Sequence, residues 1–176
     1  MVLANMALPR YTVDMKRIYL TGKLGGYTLV DDEDFEWLNQ WKWNHHPRHY
    51  ATRSIWVRLS KGKFKHTSIK MHRLINKTPE GIETDHIDGN GLNNQKSNLR
   101  NSTRSQNCQN RRTPYNNKLG YTGIVWREKS RDYVAYINVN NKRIWLKTHK
   151  TLESAIKARK DAEIKYHKEF AYVCVA

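Results

Sequence analysis

An adjacent carboxylate and imidazole begin the segment of this sequence whose residue types could do chemistry. Asp85 and His86 stand together after a run that can form a strand; Asn98 follows His86 by twelve residues, and Asn107 follows Asn98 by nine. A neutral imidazole accepts a proton near pH 7, so His86 can act as a general base. Carboxylate and amide oxygens suit a hard cation such as Mg²⁺, so Asp85 and Asn107 are candidate metal ligands. Phosphodiester hydrolysis needs such a base and cation.

The remaining residues of this segment would hold those groups in place. Asn98 does not titrate, so we expect it to hydrogen-bond the loop backbone and fix the direction of the His86 ring. Asp88 reads as a turn or cap residue.

A short helix is predicted after Asn98, because Ser102 or Thr103 can cap it. On that helix one face, at spacing i, i+3, i+7, would carry Arg104, Asn107 and Arg111. The two arginines would hold flanking phosphates. Cys108 should point away from this face and be a small core residue.

The charge of the chain indicates a polyanionic partner. Its 176 residues include 32 lysines and arginines against 16 aspartates and glutamates, a formal net charge of +16. For an intracellular protein the usual polyanion is nucleic acid. Residues 100–176 contain 17 of the basic and 6 of the acidic residues, so phosphate binding should concentrate there.

Composition argues against several other classes of protein. The chain is 38% hydrophobic and contains six Trp and ten Tyr, which is enough for a packed core. No apolar run approaches the ~20 residues that span a bilayer, and the first ten residues do not form a secretory signal. Two cysteines cannot build a disulfide framework or a cysteine-rich zinc site, so no structural zinc is expected. We therefore expect an intracellular protein that is neither secreted nor in a membrane.

The first third of the chain predicts short strands around one short helix. Gly25 and Gly26 suggest a hairpin, and Asp31 precedes a helix with an acidic first turn. Two β-rich runs, HYATRSIWVRL and FKHTSI, flank a turn at 61–63. Arg58 and Lys63, in the basic run of this second hairpin, are candidate DNA contacts. The tryptophans of this part would form a small core: Trp37, Trp41, Trp43 and Trp56.

Residues 119–172 predict three antiparallel strands packed on one helix. The strand runs are GYTGIVW, DYVAYINV and KRIWLKT, and Thr151 caps the helix that follows. Strict alternation in the third strand would put Ile144, Leu146 and Thr148 on one face and Arg143, Trp145 and Lys147 on the other. The helix should cover the first face, which leaves the second for phosphates and bases.

The middle segment resembles a known family of nucleases. DHIDGN, seven residues, Asn, eight residues and Asn is similar to the HNH motif, a ββα-metal finger, in the phage homing endonuclease variant whose last position is Asn. The resemblance implies that His86 is the base and Asn98 the central Asn. It also implies that Asp85 and Asn107 hold one divalent cation, Mg²⁺ or Mn²⁺. The preceding MHRLI looks like the short helix found before this motif. A phage-encoded member would work in the cytoplasm of a bacterial host.

Residues 119–171 resemble a second family, the ethylene-response-factor (Apetala-type) DNA-binding domain of plants, which also occurs fused to HNH nucleases. In that family the three-stranded sheet lies in the major groove of DNA. The resemblance implies DNA contacts at Arg127, Arg143 and Trp145. Tyr136 and Asn138 differ from the plant residues at contact positions, so the plant target sequence does not transfer. The complete set of candidate DNA contacts is Arg104, Arg111, Arg127, Arg143, Trp145, Lys147, Tyr136, Asn138, Arg58 and Lys63.

We therefore predict an α+β protein in three parts: a small β-rich N-terminal part (1–67), a ββα-metal HNH finger (68–113) and a three-stranded antiparallel sheet packed on one helix (119–172). The predicted function is a metal-dependent, sequence-directed endonuclease for double-stranded DNA, of the phage or mobile-element homing type. A monomer has one finger and should nick one strand. Two alternatives stay open: a DNA-binding regulator with a catalytically inactive finger, and an RNA-binding protein. No protein partner is implied.

Overall fold

A computed structural model describes residues 15–110, 113, 117–140 and 142–171. The chain forms two compact units that divide between Asn101 and Ser102. Helices and sheets occur in both units, which confirms the predicted α+β class. None of the helices in the described ranges is long and apolar enough to cross a bilayer.

A five-stranded sheet with the strand order β2-β1-β3-β4-β5 forms most of the first unit. Its strands are Met15–Thr21 (β1), Tyr27–Asp31 (β2), Trp43–His46 (β3), Tyr50–Ser60 (β4) and Lys63–Lys70 (β5). β1 and β2 form the predicted hairpin, β4 and β5 form the second one, and β1 pairs with β3 in parallel. Helix α1 (Asp32–Asn39) follows β2 and has the predicted acidic first turn.

The core of the first unit contains residues from the N-terminal sheet and from the segment around His86. Helix α2 (Met71–Ile75) and the two-stranded sheet of β6 (Glu83–His86) and β7 (Leu99–Ser102) follow the large sheet. Met71 and Leu99 are buried in the same cluster as Ile18 and Trp43. The helix predicted at MHRLI is confirmed, while the division of the chain into three parts stays a prediction.

Two of the four tryptophans expected in the core lie at the surface instead. Trp43 is fully buried and Trp37 packs against the cluster, but Trp56 is 71% exposed and Trp41 is 36% exposed. The Arg53 guanidinium lies 4.1 Å from the Trp41 ring centroid. This cation–π contact stabilises the Trp41 ring at the surface. The prediction was wrong for Trp56 because the β4–β5 hairpin extends beyond the core.

The second unit contains helix α3 (Arg104–Gln109), a three-stranded antiparallel sheet and helix α4 (Leu152–Tyr166). The strands, in the order β10-β9-β8, are Ile124–Arg127 (β8), Asp132–Val139 (β9) and Lys142–His149 (β10). The α4 residue Ala155 packs with Ile124 and Ala135, and Leu146 lies against this cluster. The predicted sheet-on-helix arrangement is therefore confirmed, and Thr151 caps α4 by accepting a hydrogen bond from Ser154.

One glycine lets α4 reach the sheet. Arg159 of α4 is buried and donates to the Tyr136 carbonyl at 2.8 Å. A Cβ on Gly123 would lie 2.4 Å from the same carbonyl oxygen and 3.1 Å from the Arg159 guanidinium. Only glycine fits this close approach.

Strand β10 contains a β-bulge that changes which face Thr148 occupies. Trp145 pairs with Tyr136, but Thr148 pairs with Val134, and Lys147 between them has φ 73°. This extra residue interrupts the alternation of side chains. Thr148 consequently lies beside Arg127 and lines the same recess as Arg143. The predicted orientation of Thr148 was wrong because strict alternation assumes that no residue is inserted.

Candidate active site

Asp85 and His86 are the last two residues of β6, whereas the sequence predicted that they follow the strand. Both are almost completely buried, at 4% and 6% exposure. The backbone N–H of Ile87 donates to the Asn98 carbonyl at 2.9 Å, so the chain leaving His86 is tied to the start of β7. Both candidate groups are therefore held by strand structure.

The loop after β6 is held closed by Asp88 and Asn98. Asn98 Oδ1 accepts from the Asp88 N–H at 3.0 Å, and Asn98 Nδ2 donates to the Asn93 carbonyl and to Asp88 Oδ1 at 2.8 and 3.0 Å. Asp88 Oδ1 also accepts from the Asn90 N–H at 2.7 Å, which makes a local turn. The expected hydrogen bonding of the loop by Asn98, and the turn role of Asp88, are therefore observed.

Asn94, and not Asn98, contacts the His86 ring. Asn94 Oδ1 lies 3.2 Å from His86 Nε2, and both residues are buried. The prediction that Asn98 fixes the direction of the His86 ring was wrong. The side chain of Asn98 hydrogen-bonds the loop backbone and Asp88 instead. Asn94 lies in the Asn-rich run inside the motif, but composition alone does not single it out from Asn93 or Gln95.

Two further rings surround His86. Tyr50 stacks on it at 6.0 Å between centroids, and His72 meets it edge-on at 5.0 Å. Burial lowers the pKa of His86, while the hydrogen bond to Asn94 and the charges of Asp88 and Asp85 act in the opposite direction. His86 is therefore a neutral imidazole at pH 7, the form that a general base requires.

His72 is a buried structural ring. Burial lowers the pKa of His72 to about 3, and the neighbouring side chains of His86, Lys70 and Arg73 act in the same direction. The edge of its ring also meets Tyr50 at 5.0 Å. No local sequence signal indicates that Tyr50 or His72 contacts His86.

Gly91 is where the loop approaches β4. A Cβ at this position would lie 2.3 Å from the His49 carbonyl oxygen and 2.7 Å from the Tyr50 ring. A side chain here would push the loop away from Tyr50, which stacks on His86. Glycine is therefore required by close packing.

Asp85 is paired with an arginine that the sequence analysis did not assign. The Arg100 Nε and Nη2 atoms lie 2.8 and 2.6 Å from Asp85 Oδ2, and the Arg100 side chain is only 17% exposed. Arg100 lies on β7, opposite β6 in the same small sheet. The Asp85 charge is thus compensated by a cation from the protein itself.

The donor chemistry of Asp85 and Asn107 fits a hard divalent cation, because both supply oxygen. Asp85 lies in the first unit, and Asn107 lies half-buried on α3 in the second. Over the described ranges no group of three or more His, Cys, Asp or Glu residues is placed to hold a metal.

Helix α3 begins as predicted. Thr103 Oγ1 accepts from the Gln106 N–H, and Gln106 Oε1 accepts from the Thr103 N–H, which makes a capping box. Arg104 is exposed on the first turn. Cys108 is exposed, so its predicted core role was wrong: α3 has only six residues and none of them is buried. Arg111 lies outside the described residues.

The sheet of the second unit presents stacked aromatic and cationic side chains. The Arg143 guanidinium lies 4.0 Å from the Tyr136 ring centroid and 5.4 Å from that of Trp145, which is 61% exposed. Arg143 Nε also donates to Asn138 Oδ1 at 3.4 Å. A recess on this face is lined by Val125, Arg127, Val134, Tyr136, Arg143, Trp145, Lys147 and Thr148.

Arg127 differs from Arg143 because its charge is paired within the protein. Its Nε and Nη2 atoms donate to the two carboxylate oxygens of Asp132 at 2.8 and 2.9 Å. The Arg127 guanidinium lowers the pKa of Asp132, and Ser130 acts in the same direction. This bidentate pair fixes the direction of Arg127.

The remaining candidate contacts lie on the β4–β5 hairpin. Arg58 and Lys63 are exposed near its turn. Phe64, which pairs with Arg58 across the strands, is 58% exposed. This hairpin therefore combines positive charge with exposed aromatic surface.

Comparison with protein families gives a match in the middle of the chain. Residues 77–109 match the model of a family described as HNH endonuclease, and this range contains Asp85, His86, Asn98 and Asn107. The chain is also similar to Protein 3.8 of Escherichia phage T7, with 44% identity over 48 residues, which is 27% of this chain and 40% of that protein. The chain thus spans less than half the length of this relative. No solved structure matches.

The family match ends at residue 109. The resemblance of residues 119–171 to the plant DNA-binding domains, and the DNA contacts inferred from it, therefore stay predictions. The HNH resemblance of the middle segment is confirmed at the level of the family model.

Proposed function

We propose that this protein is a metal-dependent endonuclease of double-stranded DNA, with His86 as its general base. The observation that supports this most strongly is a buried His86, whose pKa burial lowers, beside Asp85 in a segment that matches the HNH endonuclease family. A neutral imidazole at this place can take the proton of a water that attacks a phosphorus atom.

The other residues of the segment position the reaction. Asp88 and Asn98 hold the loop, and Asp85 and Asn107 supply the oxygen atoms for a divalent cation, Mg²⁺ or Mn²⁺. Such a cation would neutralise the charge that develops on the phosphate oxygens. Arg100 contacts Asp85 Oδ2 and directs its carboxylate.

DNA binding is assigned mainly to the outer face of β8–β10. Stacked arginine and aromatic rings can contact both phosphates and bases, and Arg143 and Trp145 are the residues assigned to these contacts. Arg127, Tyr136, Asn138 and Lys147 lie on or beside the same face, while Arg104, Arg111, Arg58 and Lys63 would add phosphate contacts elsewhere. Because the sheet would read the DNA while the His86 segment cuts it, the enzyme is sequence-directed, as in homing endonucleases of phages and mobile elements. One active site per chain should nick one strand.

One observation favours the alternative, a DNA-binding regulator with an inactive finger. The Arg100 guanidinium contacts Asp85 Oδ2, where a metal ion would otherwise bring the positive charge. In a regulator this ion pair would be permanent. In the nuclease Arg100 and the cation must share the carboxylate.

The test is incubation of the full chain with supercoiled plasmid and with phage or bacterial genomic DNA, in Mg²⁺, in Mn²⁺ and in EDTA, with the ends mapped on both strands. We expect nicks at defined sites in either metal and none in EDTA. Cleavage in EDTA would contradict the metal assignment to Asp85 and Asn107. Specific binding without cleavage in both metals would favour the regulator.

A further inference from the structure

A chain of buried hydrogen bonds connects β2 to the His86 ring. The Thr28 hydroxyl lies 2.7 Å from the Leu92 carbonyl oxygen, Asn94 Nδ2 lies 2.7 Å from Thr28 Oγ1, and Asn94 Oδ1 lies 3.2 Å from His86 Nε2. Thr28 and Asn94 are completely buried. The loop itself is fixed beside β2, because its backbone makes two hydrogen bonds to Leu29 at 2.8 Å.

The chemistry of these groups determines which atom donates and which accepts in each of these hydrogen bonds. A carbonyl oxygen can only accept, so the hydroxyl proton of Thr28 points to Leu92. Thr28 Oγ1 then accepts from the Asn94 amide nitrogen. This places the amide oxygen, which also only accepts, against His86 Nε2, so the proton between them belongs to Nε2.

The opposite orientation of the Asn94 amide is less favourable. It would direct the Thr28 proton to Asn94 and leave two oxygen atoms, of Thr28 and Leu92, 2.7 Å apart without a proton between them. It would also take the amide N–H away from the Met71 sulfur, which lies 3.7 Å from Asn94 Nδ2 and is a weak acceptor. Buried polar atoms without hydrogen bonds are costly.

We propose that Thr28 and Asn94 are positioning residues that hold neutral His86 in the tautomer with the proton on Nε2, so that Nδ1 is the nitrogen that accepts the proton of the attacking water. Only the last step of this inference rests on the proposed function. The tautomer itself follows from the hydrogen bonds of the first unit and does not depend on nuclease activity.

The tautomer can be measured directly in the metal-free full chain labelled with ¹⁵N-histidine, at a pH where the His86 ring is neutral. Two-bond ¹H–¹⁵N correlations distinguish a protonated from an unprotonated ring nitrogen, and the signals of His86 are assigned by their loss in His86→Gln. We expect a protonated Nε2 and an unprotonated Nδ1. A protonated Nδ1 in the wild type would overturn the inference.

Two matched variants test the role of Thr28. Thr28→Val keeps the shape but removes the hydroxyl, so the Asn94 amide loses the contact that orients it, and we expect a mixture of His86 tautomers. Thr28→Ser keeps the hydroxyl and should restore the wild-type spectrum. If folded Thr28→Val gave the same spectrum as the wild type, Thr28 would not be a positioning residue for His86. If Thr28→Val does not fold, the wild-type tautomer still decides the inference.

Cleavage by the same variants separates this inference from the proposed function. In single turnover with saturating protein we expect the rate of Thr28→Val to fall by about 10–100-fold, a part of the 10²–10⁴-fold that a positioned base contributes, with unchanged DNA affinity. A cleaving wild type with a protonated Nδ1 would refute the tautomer and leave the nuclease standing. A wild type with a protonated Nε2 that never cleaves would refute the nuclease and leave the tautomer standing.

Discussion

The His86 loop and the outer face of the β8–β10 sheet place their polar groups in opposite ways. In the loop, Asn93, Asn94 and Asn98 are buried and bonded to neighbours within the protein. On the sheet, Trp145 is mostly exposed and the Arg143 charge lies on two aromatic rings. Burial fixes where each proton lies, whereas exposure leaves charge available to a partner. Substitutions in the loop should therefore change stability and reaction rate, and substitutions on the sheet should change affinity.

The largest expected difference in stability is between two asparagines. Asn98→Ala removes three side-chain hydrogen bonds in a buried loop, so we expect the free energy of unfolding to fall by about 2–4 kcal/mol. Asn138 is exposed on the sheet, and its side chain accepts one long hydrogen bond from Arg143. Asn138→Ala should change the free energy by about 0.5 kcal/mol or less. Urea unfolding of both variants checks this, and equal losses would remove the contrast between the regions.

A second prediction concerns the acid stability of the buried rings. The pKa of His72 is about 3 in the folded protein, below its ordinary value of 6.5, so the unfolded chain binds the proton more readily. The free energy of unfolding should therefore be highest above pH 6.5 and fall as the pH decreases towards 3, by up to about 1.4 kcal/mol per pH unit.

His72→Phe keeps a ring against Tyr50 and His86 but cannot be protonated. We expect its stability to depend less on pH between 6.5 and 3 in urea unfolding, with part of the dependence left because burial also lowers the pKa of His86. Above pH 6.5 the difference between the variant and the wild type should be constant. If the free energy of unfolding of His72→Phe depended on pH as it does in the wild type, protonation of His72 would not be the cause of the acid dependence.

The smallest predicted effect is on DNA affinity. Arg143→Ala should weaken binding by about tenfold and lower the slope of log affinity against log salt by about one, because one cation leaves the interface. Lys16→Ala also removes one charge, but the Lys16 ammonium lies 2.7 Å from Asp32 in the first unit. It should change binding less. Fluorescence anisotropy at several salt concentrations makes the comparison, and equal losses would show that only net charge matters.

The sequence predicted the features that depend on residues close to each other along the chain. The α3 cap was predicted as Ser102 or Thr103, and the structure has Thr103; Thr151 was predicted as the α4 cap. Both predictions were possible because a cap bonds an N–H three residues away. DYVAYINV was predicted as a strand from its composition and length. The contact of Thr28 with Asn94 joins residues 66 positions apart, and packing of the whole core determines it. The same is true of Tyr50 on His86. The bulge at Lys147 has no local signal, since positive φ at a lysine is uncommon.

The motif spacing therefore identified the candidate base and the loop residue Asn98, but not the groups that surround the ring. Asp85, His86, Asn98 and Asn107 were found because their spacing resembles that of a family. Asn94, Arg100 and Gly91 lie within or beside the same segment and became visible only from their hydrogen bonds, ion pair and close packing.

The most direct test of the account compares His86→Ala with the wild type in Mg²⁺, by measuring the single-turnover cleavage rate at saturating protein together with the DNA dissociation constant. If His86 is the base and the sheet binds the DNA, the rate should fall by about 10²–10⁴-fold while the dissociation constant stays within about twofold. An unchanged cleavage rate in His86→Ala would contradict the account.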